Sequence, residues 1–281
     1  MKLTEQYAEV WGECPSTWEE SKLRLERAGR ICWKSEDKIE EGSADGFIDR
    51  MVKKKHAAVW ETSNLVLRSP TSTFPRQLLK DIESEFHSKF LTCTPEGDRV
   101  YIGGNYRAWM ELWDLKDPRE LWNKIATLVY RGFEEVQQAD IPWALKRISV
   151  LLYTDRAVTH EIVRHRPASF LQESQRYVRY DGGMAFIQPY WWDSVTDEVR
   201  QLFLDSCKQA ELTYQALRQD LPPEGARVVL PNACATEIVV TADLVEWSLI
   251  FKLRTPAGVY PPTRSLVQYI EQEFGKKGWI S

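Results

Sequence analysis

The stretch Arg164-His165-Arg166-Pro167-Ala168-Ser169-Phe170-Leu171-Gln172-Glu173-Ser174-Gln175-Arg176-Tyr177 holds most of the reactive chemistry of the chain. Within fourteen positions it sets four guanidinium or imidazole groups, two serine hydroxyls and two side-chain amides. Arginine offers forked donors that match an anion with several oxygens, so such a cluster suits a phosphate or diphosphate. The same spacing also fits a solvated basic turn, and spacing alone does not separate the two. Upstream, a capping residue in Thr154-Asp155 is followed by Ala157, Val158, Ile162 and Val163, which predicts a helix that delivers Arg164 and His165 at its C-terminal end. Cations are favoured at that end of the helix dipole.

Arg164, His165, Arg166, Ser169, Ser174, Arg176 and Tyr177 fill every fixed position of R-H-R-x-x-S-x-x-x-x-S-x-R-Y. That pattern is the signature of the flavin-dependent thymidylate synthases, and the chain resembles that family. Three further segments are similar to it: His56 and Glu61 within His56-Ala57-Ala58-Val59-Trp60-Glu61, Ala226-Arg227-Val228-Val229-Leu230-Pro231, and Phe251-Lys252-Leu253-Arg254. The similarity covers about residues 20 to 68 and 148 to 275.

The resemblance implies an α/β (α+β) fold with helices around a mainly antiparallel sheet, and active sites shared between subunits of a homotetramer. It implies that reduced FAD, recharged by NADPH, drives reductive methylation of dUMP to dTMP with methylenetetrahydrofolate as one-carbon donor. The implied dUMP-binding residues are Glu161, Arg164, Gln172, Glu173, Ser174, Gln175, Arg176, Arg227 and Arg254, with Arg254 also catalytic. The implied FAD-binding residues are His56, Glu61, Arg164, His165, Arg166, Gln172 and Asp243. Ala58, Glu161, Gln172, Asp243, Val245, Leu249 and residues 259–264 depart from the family pattern. Those departures keep two alternatives open. One is a flavin- and folate-dependent enzyme with another product or with dCMP as substrate; the other is a non-catalytic nucleotide binder.

Composition narrows the classes. A net charge of −4 provides no global positive field for nucleic acid, so an anion site must be a local arginine cluster. No apolar run approaches the ~20 residues needed to span a bilayer, and the N-terminus lacks the apolar core of a signal peptide, so a cytosolic protein with no membrane partner is expected. The five cysteines are odd in number and form no C-x-x-C pair, so buried reduced thiols are expected and none stands out as a nucleophile. Four histidines make a histidine-rich metal site improbable, and no metal is expected.

Several elements must position these groups. Apolar spacing predicts helices over 16–31 (capped by Ser16 or Thr17), 43–55 (capped by Ser43), 118–138 and 194–217. Strands are expected at 64–67, 99–102 and 147–153. A proline-punctuated loop, Ser69 to Pro75, and a helical stretch with Leu78, Leu79, Ile82 and Phe86 fall between them. Residues 69–147 read as an insertion within a single domain spanning 1–281, because no linker composition flanks them. Within it, Asn105-Tyr106-Arg107-Ala108-Trp109 places aromatics beside an arginine, and core packing is favoured over ring stacking.

Overall fold

The computed structural model describes residues 1–69, 91–97 and 99–280. The loop expected to Pro75 lies outside these residues beyond Ser69, and so does the helical stretch with Leu78, Leu79, Ile82 and Phe86. The strands are β1 (Lys2–Thr4), β2 (Tyr7–Glu13), β3 (Leu65–Arg68), β4 (Leu91–Glu96), β5 (Arg99–Gly104), β6 (Glu134–Glu135), β7 (Arg147–Asp155), β8 (Ser169–Gln172), β9 (Ala185–Ile187) and β10 (Ala235–Asp243). Among the described residues they form two four-stranded antiparallel sheets, ordered β2-β7-β10-β8 and β4-β5-β3-β6, and a small parallel pair of β1 with β9. The expected architecture of helices around antiparallel sheet is present, divided between two sheets.

The two sheets repeat one construction. In the first, Leu65 of β3 pairs with Gly104 of β5, and the next residue, Asn105, caps the helix Tyr106–Leu112 by accepting from Ala108 N at 2.9 Å. In the second, Ile148 of β7 pairs with Ala242 of β10, and the next residue, Asp243, caps the helix Leu244–Arg254 by accepting from Glu246 N at 2.8 Å. Four positions past each cap a buried tryptophan donates its indole N–H to the opposing strand. Trp109 reaches the Leu65 carbonyl at 3.2 Å and Trp247 reaches the Ile148 carbonyl at 3.1 Å. An indole N–H finds a partner when buried, and here that partner locks helix to strand. Tyr106 and Trp109 are fully buried, so the aromatics of this segment pack the core as expected.

Local chemistry explains where elements depart from their expected bounds. The first helix is Trp18–Ile31, with Thr17 accepting from Glu20 N. The second is Ser43–Lys54; Ser43 sits inside it, and Gly42 at φ +79° takes the cap position. These helices touch closely at Gly29, where a Cβ would lie 2.4 Å from the Phe47 ring, so only glycine fits. The helix from Pro118 ends at Tyr130 rather than 138, because Gly132 at φ +91° turns the chain back into β6. The helix expected from 194 begins at Asp197.

β10 is not among the strands the sequence predicts, yet it is an inner strand of its sheet, paired with β7 and β8. Its Thr236-Glu237-Ile238-Val239-Val240-Thr241 run is β-branched but buried on both faces, so it lacks the alternation that marks a half-exposed strand. No helix among the described residues is long and apolar enough to cross a membrane.

Candidate active site

β7 runs straight into the signature. Its last residue, Asp155, caps the helix Arg156–Ile162 by accepting from Val158 N at 2.8 Å. The helix stops after seven residues, and the turn that follows exposes Arg164 and Arg166 while burying His165 between them. Ser169 then starts β8, which is held against β10.

His165 lies between two residues of the helix Leu244–Arg254. Its Nδ1 is 3.2 Å from Glu246 Oε1, and Arg254 donates Nε–H to its Nε2 at 3.1 Å. Glu246 and Arg254 are eight residues apart, about 12 Å along one helix face, which leaves room for an imidazole between them. Arg254 also donates Nη2–H to the Glu161 carbonyl at 3.0 Å, and its Nη1 stands 3.6 Å from Glu161 Oε2. Glu161, His165 and Arg254, up to 93 residues apart in sequence, thus form one cluster.

Burial, and then the Arg254 guanidinium, push His165 down to about 4 from the ordinary 6.5. The hydrogen bonds give the same answer. Because Arg254 donates to Nε2, that nitrogen carries no proton, and the single proton of the neutral ring sits on Nδ1 facing Glu246. Glu246 favours a positive ring, but the neutral tautomer already serves it. A second proton could enter only where Arg254 bonds. The folded value lies below the unfolded one, so the unfolded chain takes up the proton first, and this contribution to stability falls as pH drops from 6.5 to about 4. Denaturant titrations should show wild type losing on the order of 1–3 kcal/mol relative to His165→Gln across that window. Parallel pH profiles for the two proteins would show that the ring is not held neutral.

The other expected site residues fall into three places. Gln172 donates to Thr159 Oγ1 at 3.1 Å and Thr236 Oγ1 at 3.4 Å, which ties β8 to the signature helix and β10. Glu173 is buried, accepts from the Tyr180 hydroxyl and lies 3.5 Å from Lys34. Ser174 donates its backbone N–H to the Cys32 carbonyl at 3.0 Å, joining the signature to the chain end of the first helix. Gln175 is buried, and its Nε2 has no hydrogen-bond partner among the described residues; the same holds for Glu161 Oε2. Arg176 is exposed and pairs with Glu224 at 3.1 Å, three residues before Arg227. The guanidiniums of Arg164 and Arg227 have no partner among the described residues.

Glu61 and Arg166 share a cavity of about 420 Å³ with Ala58, Val163, Ala168 and Phe170. Two residues from the expected insertion complete it. Arg107 donates Nη1–H to Glu61 at 2.6 Å and Nε–H to Glu111 at 2.7 Å. His56 packs edge-on against Trp33 at 5.4 Å, and Trp33 lies 6.4 Å from the signature Tyr177. Asp243 stands apart. Its carboxylate caps the helix whose other end carries Arg254, about 16 Å away along the axis.

Sequence reasoning missed Glu246, Arg107 and Trp33 as site residues. Glu246 was accessible through its eight-residue spacing to Arg254 on a capped helix. Arg107 stood out only as an arginine beside aromatics, and its meeting with Glu61 depends on the pairing of β3 with β5. Burial pushes the Cys32 thiol up to about 12, so this cysteine beside the signature is not a thiolate at neutral pH.

Residues 140–277 match the family model described as thymidylate synthase complementing protein. A flavin-dependent thymidylate synthase of Geobacter sulfurreducens is 44% identical over 101 residues, 35% of this chain and 43% of that protein. One from Mycobacterium tuberculosis is 28% identical over 182 residues, 58% of this chain and 70% of that protein. The chain thus spans less than half the length of the first of these relatives. A structure of the UMP/dUMP methylase PolB from Streptomyces cacaoi bound with 5-Br dUMP aligns over 98% of this chain and 93% of that one, at 16% identity and a TM-score of 0.46, a likeness too loose to assign a ligand.

Proposed function

We propose, on the match of residues 140–277 to the thymidylate synthase complementing protein family, that the chain is a flavin-dependent enzyme that methylates dUMP to dTMP. One observation carries the reading: Arg254 closes onto His165 at 3.1 Å, so two cationic segments 89 residues apart build one site. Methylenetetrahydrofolate is the one-carbon donor in this reading, and NADPH restores the reduced cofactor.

The residues fit a flavin. The cavity at Glu61 and Arg166 has an apolar wall of Ala58, Val163, Ala168 and Phe170 for a flat ring, and a polar rim of Glu61, Arg107, Glu111 and Arg166 for its hydrogen-bonding edge. Arg166 and Glu61 would hold the cofactor there, with His56 and His165 nearby. A bound reduced flavin supplies the hydride chemistry; the protein supplies binding, orientation and electrostatics.

The nucleotide falls to the arginines. Arg164 and Arg227, both without side-chain partners among the described residues, and Arg176 hold the phosphate in this reading, with Ser174 and Gln175 beside them. The unpartnered Gln175 Nε2 would gain an acceptor from the ligand. Arg254 has two N–H groups committed to His165 and the Glu161 carbonyl, and its Nη1 faces Glu161 Oε2 at 3.6 Å without a hydrogen bond, so its uncommitted N–H groups would turn to negative charge developing on the pyrimidine. No cysteine nucleophile is required.

A second reading, dCMP as substrate, has one observation in its favour. Glu161 Oε2 is a buried acceptor without a hydrogen-bond partner among the described residues, its nearest cation being Arg254 Nη1 at 3.6 Å, and an exocyclic amine would satisfy it where a carbonyl would not. Anaerobic assays with FAD, NADPH and methylenetetrahydrofolate, run side by side with dUMP and dCMP, separate the two. dTMP from dUMP alone supports the main reading; a methylated cytosine nucleotide supports the second. Flavin that binds and consumes NADPH with neither product overturns both, and so does a protein that retains no flavin.

A further inference from the structure

Next to the signature loop, beyond Trp33, lies a groove that the proposed chemistry leaves unused. It is a cavity of about 940 Å³ built by the first two helices and the turn between them, and five cations line it: Arg30, Lys34, Lys38, Arg50 and Lys54. Asp37 and Glu40 are the carboxylates that line it. Arg30 is paired with Glu26 at 2.6 Å, and Lys34 with Glu237 at 2.9 Å. Lys38, Arg50 and Lys54 form no ion pair among the described residues; Arg50 only overlies the Phe47 ring at 5.9 Å. The chain carries a net charge of −4, so this cluster is not part of a generally basic surface. At one end the groove meets Trp33, whose ring contacts His56 and faces Tyr177.

The shape of the charge selects among ligands. Lysines act as flexible point charges, whereas compact diphosphates favour the forked geometry of arginine. Two lysines and an arginine spread along an open groove suit a flexible chain of separate carboxylates. We propose that this groove binds the poly-γ-glutamate tail of the folate co-substrate, whose pterin end enters past Trp33 toward the signature loop. The inference rests on the folate-dependent reading above. It assigns the tail to residues outside the catalytic cluster, so binding and chemistry are separable.

The test compares mono- and pentaglutamyl methylenetetrahydrofolate in the wild type and in the Lys38→Glu/Arg50→Glu/Lys54→Glu variant. Each exposed charge contact is modest, so the wild type should show a KM about tenfold lower for the pentaglutamate at low salt. That preference should shrink as ionic strength rises. The variant should lose it while keeping kcat and the monoglutamate KM. Equal KM values for the two folates in the wild type would overturn the proposal. So would a variant whose KM rises for NADPH and not for the pentaglutamate. Calorimetry with pteroyl mono- and pentaglutamate separates this inference from the reaction itself. A lysine-dependent preference in a protein that makes no dTMP keeps the groove and discards the reaction; dTMP formation without any preference keeps the reaction and discards the groove.

Discussion

On the proposed reading, Arg254→Ala should lower dTMP formation about a hundred- to a thousandfold, the scale seen when a preorganised charge-stabilising donor is removed, while flavin remains bound. Three features make Arg254 the position of greatest effect. It stands at the C-terminal end of its helix, where a cation is favoured. It is half-buried, so its charge acts in a medium less screened than water. Its orientation is fixed before any ligand arrives, through the His165 ring and the Glu161 carbonyl. Arg254→Lys should recover only part of the loss, because an ammonium keeps the charge but cannot donate to His165 and Glu161 in the same fork. Single-turnover measurements of dTMP, with flavin absorbance read in parallel, check both variants. An Arg254→Ala enzyme that keeps more than about a tenth of the wild-type rate would remove Arg254 from the chemistry.

The largest expected effect on stability lies in the first helix. The Glu26 carboxylate, 1% exposed, accepts from Arg30 Nε at 2.8 Å and Nη2 at 2.6 Å, and from the Ser43 hydroxyl at 2.8 Å. Arg30 itself is 4% exposed. Glu26→Ala would strand a buried guanidinium, and breaking one side of a buried pair costs roughly 3–5 kcal/mol. Equilibrium unfolding in urea measures this loss. Replacing both partners, Glu26→Met with Arg30→Met, should restore much of the stability, since an apolar pair of similar volume carries no unpaired charge. A loss below about 1 kcal/mol in Glu26→Ala would mean that water reaches Arg30 and that the pair is not sealed. The pair also has a positional consequence. It anchors the helix end that leads into Cys32, whose carbonyl holds Ser174, and into Trp33.

Local order made part of the molecule legible. The signature residues are contiguous, and a capped helix followed by a turn needs only nearest-neighbour information, so the cap at Asp155 and the helix to Ile162 follow from short-range rules. The amphipathic helices at Trp18–Ile31, Ser43–Lys54 and Asp197–Leu217 were visible for the same reason, and their ends shifted only where a glycine or a cap residue decided the matter.

What tertiary structure alone decided depends on pairings over long sequence separations. β10 could not be recognised by alternation, because β7 and β8 flank it and both of its faces are buried. The repeated strand–strand–helix construction shows in the matching registers of Leu65 with Gly104 and Ile148 with Ala242, and not in any string of identical residues. Arg107 reaches Glu61, 46 positions away, only because β3 and β5 lie side by side. The tautomer of His165 is set by Glu246 and Arg254, 81 and 89 positions away. Periodicity and capping report the free energy of local segments. Sheet register brings distant side chains within hydrogen-bonding distance, and those contacts set which residues of the signature are buried, neutral or free to meet a ligand.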